Sequence, residues 1–146
     1  MRLKLLALYA LPLACALIPP ATAQTKRASA KPFVVVESGK GFDQLQQAVD
    51  AIGDARGTIR IASGTYRQCA VQSAGRISYV AAEAGGAIFD QSICEDQAAL
   101  ILRGESARID GAIFQNYRGR AGQPYHAIAW HSGSLSIVNT LFRASD

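Results

Sequence analysis

The residues best suited to chemistry lie close together. Asn116-Tyr117-Arg118-Gly119-Arg120-Ala121-Gly122-Gln123-Pro124-Tyr125 carries two guanidiniums and two phenols in a glycine-containing, loop-like stretch, and His126, Trp130 and His131 follow shortly after. The planar forks of Arg118 and Arg120 match carboxylates bidentately, and the ring of Tyr125 offers a flat apolar face for a sugar. His126 or His131 would serve as a general base, because an imidazole titrates near neutral pH. This combination points to an acidic polysaccharide as ligand, with proton abstraction next to its carboxylate as the reaction. A histidine would be the base, and Arg118 or Arg120 the carboxylate clamp. The plainer reading of the same residues is a solvated surface loop, since arginine and histidine are common on surfaces. Asp90, Glu95, Asp96, Glu105 and Asp110 are scattered, and no cysteine or histidine spacing fits a metal site, so neither metal nor cofactor is expected.

These residues sit between two copies of one pattern. Leu100 to Gln115 (LILRGESARIDGAIFQ) aligns without a gap on Ile128 to Arg143 (IAWHSGSLSIVNTLFR) at an offset of 28. Leu100 falls on Ile128, Leu102 on Trp130, Ile109 on Ile137 and Phe114 on Phe142. Short apolar runs recurring with turn residues between them are how a stacked repeat architecture is encoded. The offset also sets Arg103 against His131, a small basic pair on adjacent turns, and Trp130 is expected to pack as Leu102 does. Upstream, Phe33 to Glu37 reads as a strand. Phe42, Leu45, Ala48, Val49 and Ile52 fall on one helical stripe that Gly53 ends, a helix of about three turns. Gly57 to Ala62, Cys69 to Val71, Ile77 to Ala81 and Ala87 to Phe89 then follow as short strands.

Composition bounds the surroundings. Met1 to Ala23 has a basic start at Arg2 and Lys4, an apolar core, and Ala21-Thr22-Ala23 after two prolines, the layout of a secretory signal cleaved after Ala23. A membrane anchor is the rival, but the apolar run is short for a bilayer. Lipoprotein processing at Cys15 is disfavoured, because Pro12-Leu13-Ala14 lacks the usual aliphatic residue three positions upstream of it. Residues 24–31 form a polar linker, and 32–146 the domain. The net charge of +4 belongs to leader and linker: from Pro32 onward ten basic residues face eleven acidic ones, which does not support a basic nucleic-acid surface. A secreted or periplasmic location makes Cys69 and Cys94 a disulfide candidate, with two buried unpaired cysteines as the alternative.

The run Phe42-Asp43-Gln44-Leu45-Gln46-Gln47-Ala48-Val49-Asp50-Ala51-Ile52, then Gly57-Thr58-Ile59-Arg60-Ile61 and Gly64-Thr65-Tyr66, resembles the opening of right-handed parallel β-helix proteins of the pectate-lyase-like superfamily. Ala107-x-Ile109-x-x-Ala112-x-Phe114 and its copy from Leu135 to Phe142 look like that family's rungs. The resemblance implies an all-β fold: a right-handed parallel β-helix solenoid whose amphipathic helix caps its N-terminal end. It is poor for activity, since the superfamily hosts lyases, hydrolases, esterases, epimerases and adhesins. Gly64-Thr65-Tyr66-Arg67-Gln68 is similar to the pectin methylesterase Gly-x-Tyr-x-Glu segment, but Gln68 replaces the glutamate, so first-turn structure rather than an active site is expected there. Ile109, Ala112 and Phe114 would point inward and Arg108 and Ile113 outward, with a bend at Asp110-Gly111 that Asn139 repeats. No capping element follows the second copy. The expectation is therefore a longer β-helix cut short at its C-terminus or, failing that, an open end docked on a partner. Function divides between binding and lyase- or epimerase-type processing of an acidic polysaccharide, and a non-catalytic adhesion module.

Overall fold

The computed structural model describes residues 30–119 and 125–143. The leader with Cys15, most of the linker, and Arg120 lie outside these residues. In chain order the elements are β1 (Phe33–Val35), β2 (Lys40–Phe42), α1 (Leu45–Ile52), β3 (Arg56–Ile61), β4 (Gly64–Tyr66), β5 (Ala70–Gln72), β6 (Arg76–Ala81) and β7 (Ala87–Asp90). They continue with β8 (Ala98–Leu102), β9 (Ser106–Asp110), β10 (Ala112–Gln115), β11 (His126–Trp130), β12 (Ser134–Val138) and β13 (Leu141–Arg143). Among the described residues the fold is all-β at this level, with one short helix and parallel sheets.

From β3 onward the chain visits three sheets in rotation. One sheet has the order β12-β9-β6-β3-β1-β2, another β13-β10-β7-β4, and the third β11-β8-β5. Every neighbour pair from β3 onward is parallel. The register of the last strands is the offset that the two sequence copies share: Leu100 pairs with Ile128, Leu102 with Trp130, Ile109 with Ile137 and Phe114 with Phe142. In-register parallel stacking puts like residues on like, so one inward position repeats from strand to strand.

The core fills the space between the sheets. Ile59, Ile61, Ile77, Tyr79, Phe89, Leu100, Leu102, Ile109 and Phe114 are fully buried. Aromatic rings run through it in file. Phe33 lies 5.0 Å from Tyr66, Tyr66 5.9 Å from Phe89, Phe89 5.2 Å from Phe114, and Phe114 5.5 Å from Phe142, the last two pairs stacked. Between β9 and β10 the bend falls on Gly111 (φ 77°), and between β12 and β13 on Asn139 (φ 47°), the left-handed backbone that glycine and asparagine tolerate. Asn139 also donates its Nδ2–H to Asp110 Oδ1 at 3.0 Å, so each bend is tied to the one beneath.

Three expectations need correction. Phe42 belongs to β2, not to the helix. α1 is eight residues long, because β2 pairs antiparallel with β1 and takes Phe42 opposite Phe33. Ile113 faces outward but is buried, flanked on neighbouring strands by Ile88 and Leu141. Trp130 is 56% exposed although its register partner Leu102 is buried, because no strand lies beyond β11 among the described residues. Its indole donates to Ser132 O at 2.8 Å instead of joining the core.

One end of the stack is covered. β1 pairs antiparallel with β3 and closes that sheet edge. α1 buries Leu45, Ala48, Val49 and Ile52 against β1 and β5. Gln46 completes the cover: its Oε1 accepts from Val71 N at 2.7 Å and its Nε2 donates to Val71 O at 3.1 Å, the pairing a neighbouring strand would give β5. No helix of the described residues is long and apolar enough to cross a membrane.

Candidate functional site

Between β10 and β11 the chain leaves one sheet and enters another, and here the structure gathers Arg118 and Tyr125. With Gln91, Ile93, Asn116 and Tyr117 they line a cleft of about 290 Å³. Two left-handed residues shape its wall. Gln91 (φ 54°) follows β7 and donates its N–H to Gln115 O at 3.2 Å, and Asn116 (φ 64°) follows β10 one strand further on. Asn116 donates Nδ2–H to Asp90 Oδ1 at 2.5 Å, while Arg67 reaches the same carboxylate at 3.8 Å. The acid beside the cleft is therefore already engaged by donors.

Tyr117 forms the cleft's aromatic wall. Its ring packs at 6.3 Å, tilted, on Phe114, so the core holds it in place. Its hydroxyl is buried without a hydrogen-bond partner in ordinary geometry, a costly state for a polar atom. Desolvation pushes this phenol up to about 12, against the pull of Ser92 nearby. Ser92 directs its own hydroxyl to Gln68 O at 2.6 Å. Tyr117 thus remains a neutral hydrogen-bond donor at any ordinary pH.

The remaining candidates are elsewhere. Arg103 is clamped by both its terminal nitrogens onto the carboxylate of Glu95, one contact at 3.1 Å and the other shorter. This bond, more than charge alone, holds Glu95 below its ordinary value and raises Arg103. His131 stands beside the pair with Nε2 3.1 Å from Gln97 Oε1, and its charge adds to the lowering of Glu95. The expected basic pair of Arg103 and His131 is in fact a mixed cluster with an acid at its centre. His126 is exposed at the start of β11, where its N–H donates to Gln97 O at 2.8 Å. Neither histidine lines the cleft of Arg118 and Tyr125.

Cys69 and Cys94 are joined by a disulfide, their Cα atoms 5.5 Å apart. It links the segment before β5 to the segment before β8, the strands paired in the third sheet. Gln68, the residue that departs from the esterase-like segment, holds the start of α1. Leu45 N donates to its Oε1 at 2.8 Å, and its Nε2 donates to Asp43 O at 3.1 Å. With Gln44 making no side-chain cap of its own, the helix is capped from the next turn of chain.

Among the described residues no group of three or more His, Cys, Asp or Glu is placed to hold a metal ion. The wall residues Gln91 and Ile93 were not among the sequence candidates, and Asn116 was named only as the start of the loop stretch. Asn116 directly before the Tyr117-Arg118 pair was the available signal, as a residue tolerant of left-handed backbone. No family model matches the chain, and neither a curated protein nor a solved structure matches it.

Proposed function

We propose that the chain is a secreted or periplasmic right-handed parallel β-helix module, capped at one end by α1, that binds an acidic polysaccharide in the cleft between β10 and β11. The rotation of parallel strands through three sheets supports the solenoid, and the Cys69–Cys94 bond supports an oxidising compartment. The carrying observation is the cleft itself, which sets a guanidinium beside two tyrosines. Arg118 would pair with a carboxylate and Tyr125 would lie against a sugar face. Tyr117 would supply a second aromatic wall beside the sugar.

Binding without chemistry is the reading favoured here, because His126 and His131 stand outside that cleft. Titrating the full chain with a uronate polymer tests the proposal. Arg118→Ala should weaken binding about tenfold, as expected for loss of one charge-assisted contact, and Tyr125→Ala should weaken it as well. Absence of binding to any acidic polymer sinks the reading. Appearance of unsaturated-product absorbance, abolished by His126→Ala or His131→Ala, would instead make the module a lyase.

A further inference from the structure

The outward positions of β3, β6, β9 and β12 form three columns, the third of which holds Arg60, Val80, Asp110 and Val138. Arg56, Arg76, Ser106 and Ser134 are register partners in the first, and Thr58, Ser78, Arg108 and Ser136 in the second. The first two columns bound a cleft of about 340 Å³ on the face of this sheet, remote in the chain from the loop between β10 and β11. Its outward side chains are arginines and serines, all hydrogen-bond donors. Guanidinium has only N–H groups, and serine presents a small hydroxyl. Ile77, Ala107 and Leu135 also line the cleft between the columns.

The charge arrangement is costly for the fold alone. Arg56 lies directly opposite Arg76 on the adjacent strand, about 4.8 Å away along the sheet, and like charges so placed repel. Acids offset part of this. Glu105 holds Arg76 at 2.7 Å and Asp110 holds Arg108 at 2.8 Å. Arg56 makes no ion pair among the described residues, and the hydroxyls of Ser78, Ser134 and Ser136 make no side-chain hydrogen bond there. Water hydrates these groups in the free chain, and an arginine flanked by hydroxyl donors suits an oxyanion.

We infer that this face is a second contact site for an acidic glycan, with Arg56 and Arg76 taking its carboxylate or sulfate groups and the serines its hydroxyls. The inference rests on the chain being an acidic-glycan binder. A polymer laid across the strands meets a fresh set of donors at every strand, so this face would grip a chain along its length while the loop cleft takes one sugar.

The full chain is titrated with a uronate-only polymer and, separately, with a sulfated one, recording affinity and backbone amide shifts. Arg56→Ala should weaken binding about fivefold, as one exposed charge-assisted contact does. Glu105→Gln should tighten binding by releasing Arg76, a gain that mere structural damage would not produce. Arg60→Ala, on the same sheet but outside the cleft, should leave affinity unchanged. Binding that Arg118→Ala weakens while Arg56→Ala and Glu105→Gln leave it untouched, with no shifts around Ser78 and Ser134, overturns this site and spares the loop cleft. Failure to bind either polymer overturns both. Whichever polymer Arg56→Ala affects identifies the oxyanion.

Discussion

The two ends of the strand stack use the same inward pattern and meet their surroundings differently. At the β1 end, the hairpin of β1 and β2, the helix α1 and the amides of Gln46 and Gln68 turn an edge into an interior. Phe33 and Leu45 are fully buried there. At the β11–β12–β13 end, Trp130, Ile137, Leu141 and Phe142 occupy equivalent rungs and are 41–56% exposed. Both ends have apolar side chains at the right register. The difference lies in whether something pairs with the last backbone, and it teaches that burial here is conferred by the next rung rather than by the residue. Among the described residues no strand pairs beyond β11, β12 and β13, and an edge of this kind offers its N–H and C=O groups to other strands.

This contrast can be broken from either side. The largest effect is expected from Leu45→Ala, about 3–5 kcal/mol of lost stability by denaturant unfolding, because a fully buried leucine leaves a cavity under the cap. Replacing Cys69 and Cys94 by serine should cost about 3 kcal/mol through loop-closure entropy of the unfolded chain. An unfolding midpoint indifferent to reductant would contradict this. Gln68→Ala removes two hydrogen bonds on α1, at about 1 kcal/mol each, and should speed amide exchange at Leu45 without disturbing β13. Phe142→Ala deletes a larger side chain than Leu45→Ala yet should cost only about 1 kcal/mol, since half of the ring is already in water. Equal losses for Leu45→Ala and Phe142→Ala would erase the distinction between the ends.

The smallest effect concerns acid. The hydrogen bond from Asn139, followed by the contact with Arg108, holds Asp110 below its ordinary value. A carboxyl held low stabilises the folded chain above its unfolded pKa of about 3.8, and that contribution disappears as pH falls through the lower folded value. Asn139→Gly keeps the left-handed bend and deletes the bond. The Asp110 pKa, followed by carboxylate NMR, should then rise towards the ordinary one; an unmoved value would remove Asn139 from the account.

Legibility in the sequence followed the same division. Pairs such as Ile109 with Ile137 could be read because parallel stacking repeats residue types at a fixed chain distance. The helix could be read from its apolar stripe, but Phe42 could not be assigned by stripe alone. Its place depends on β1, a partner chosen in space. Gln46 and Gln68 look like ordinary helix and turn residues, and only their reach to other turns gives them a role. Of the site, Arg118 and Tyr125 could be picked by type. The separation of both histidines from them depends on how the chain crosses between sheets. Arg56 and Arg76 escaped notice because each is unremarkable alone, and the register makes them neighbours.

The file of rings from Phe33 through Tyr66, Phe89 and Phe114 to Phe142 has a practical corollary. Successive rings stay within 6 Å of one another although the stretches of chain between them differ in length. The rings act as fixed pegs and the connecting segments as slack. Extra residues placed after Gly119, beyond the Asn116 and Tyr117 contacts, lengthen a connection and leave every peg seated, whereas one residue added between Gly111 and Phe114 would turn a ring out of the file. The span carrying the proposed ligand cleft is therefore where the molecule can be lengthened, trimmed or regrafted to change what it holds, at little expense to what holds it together.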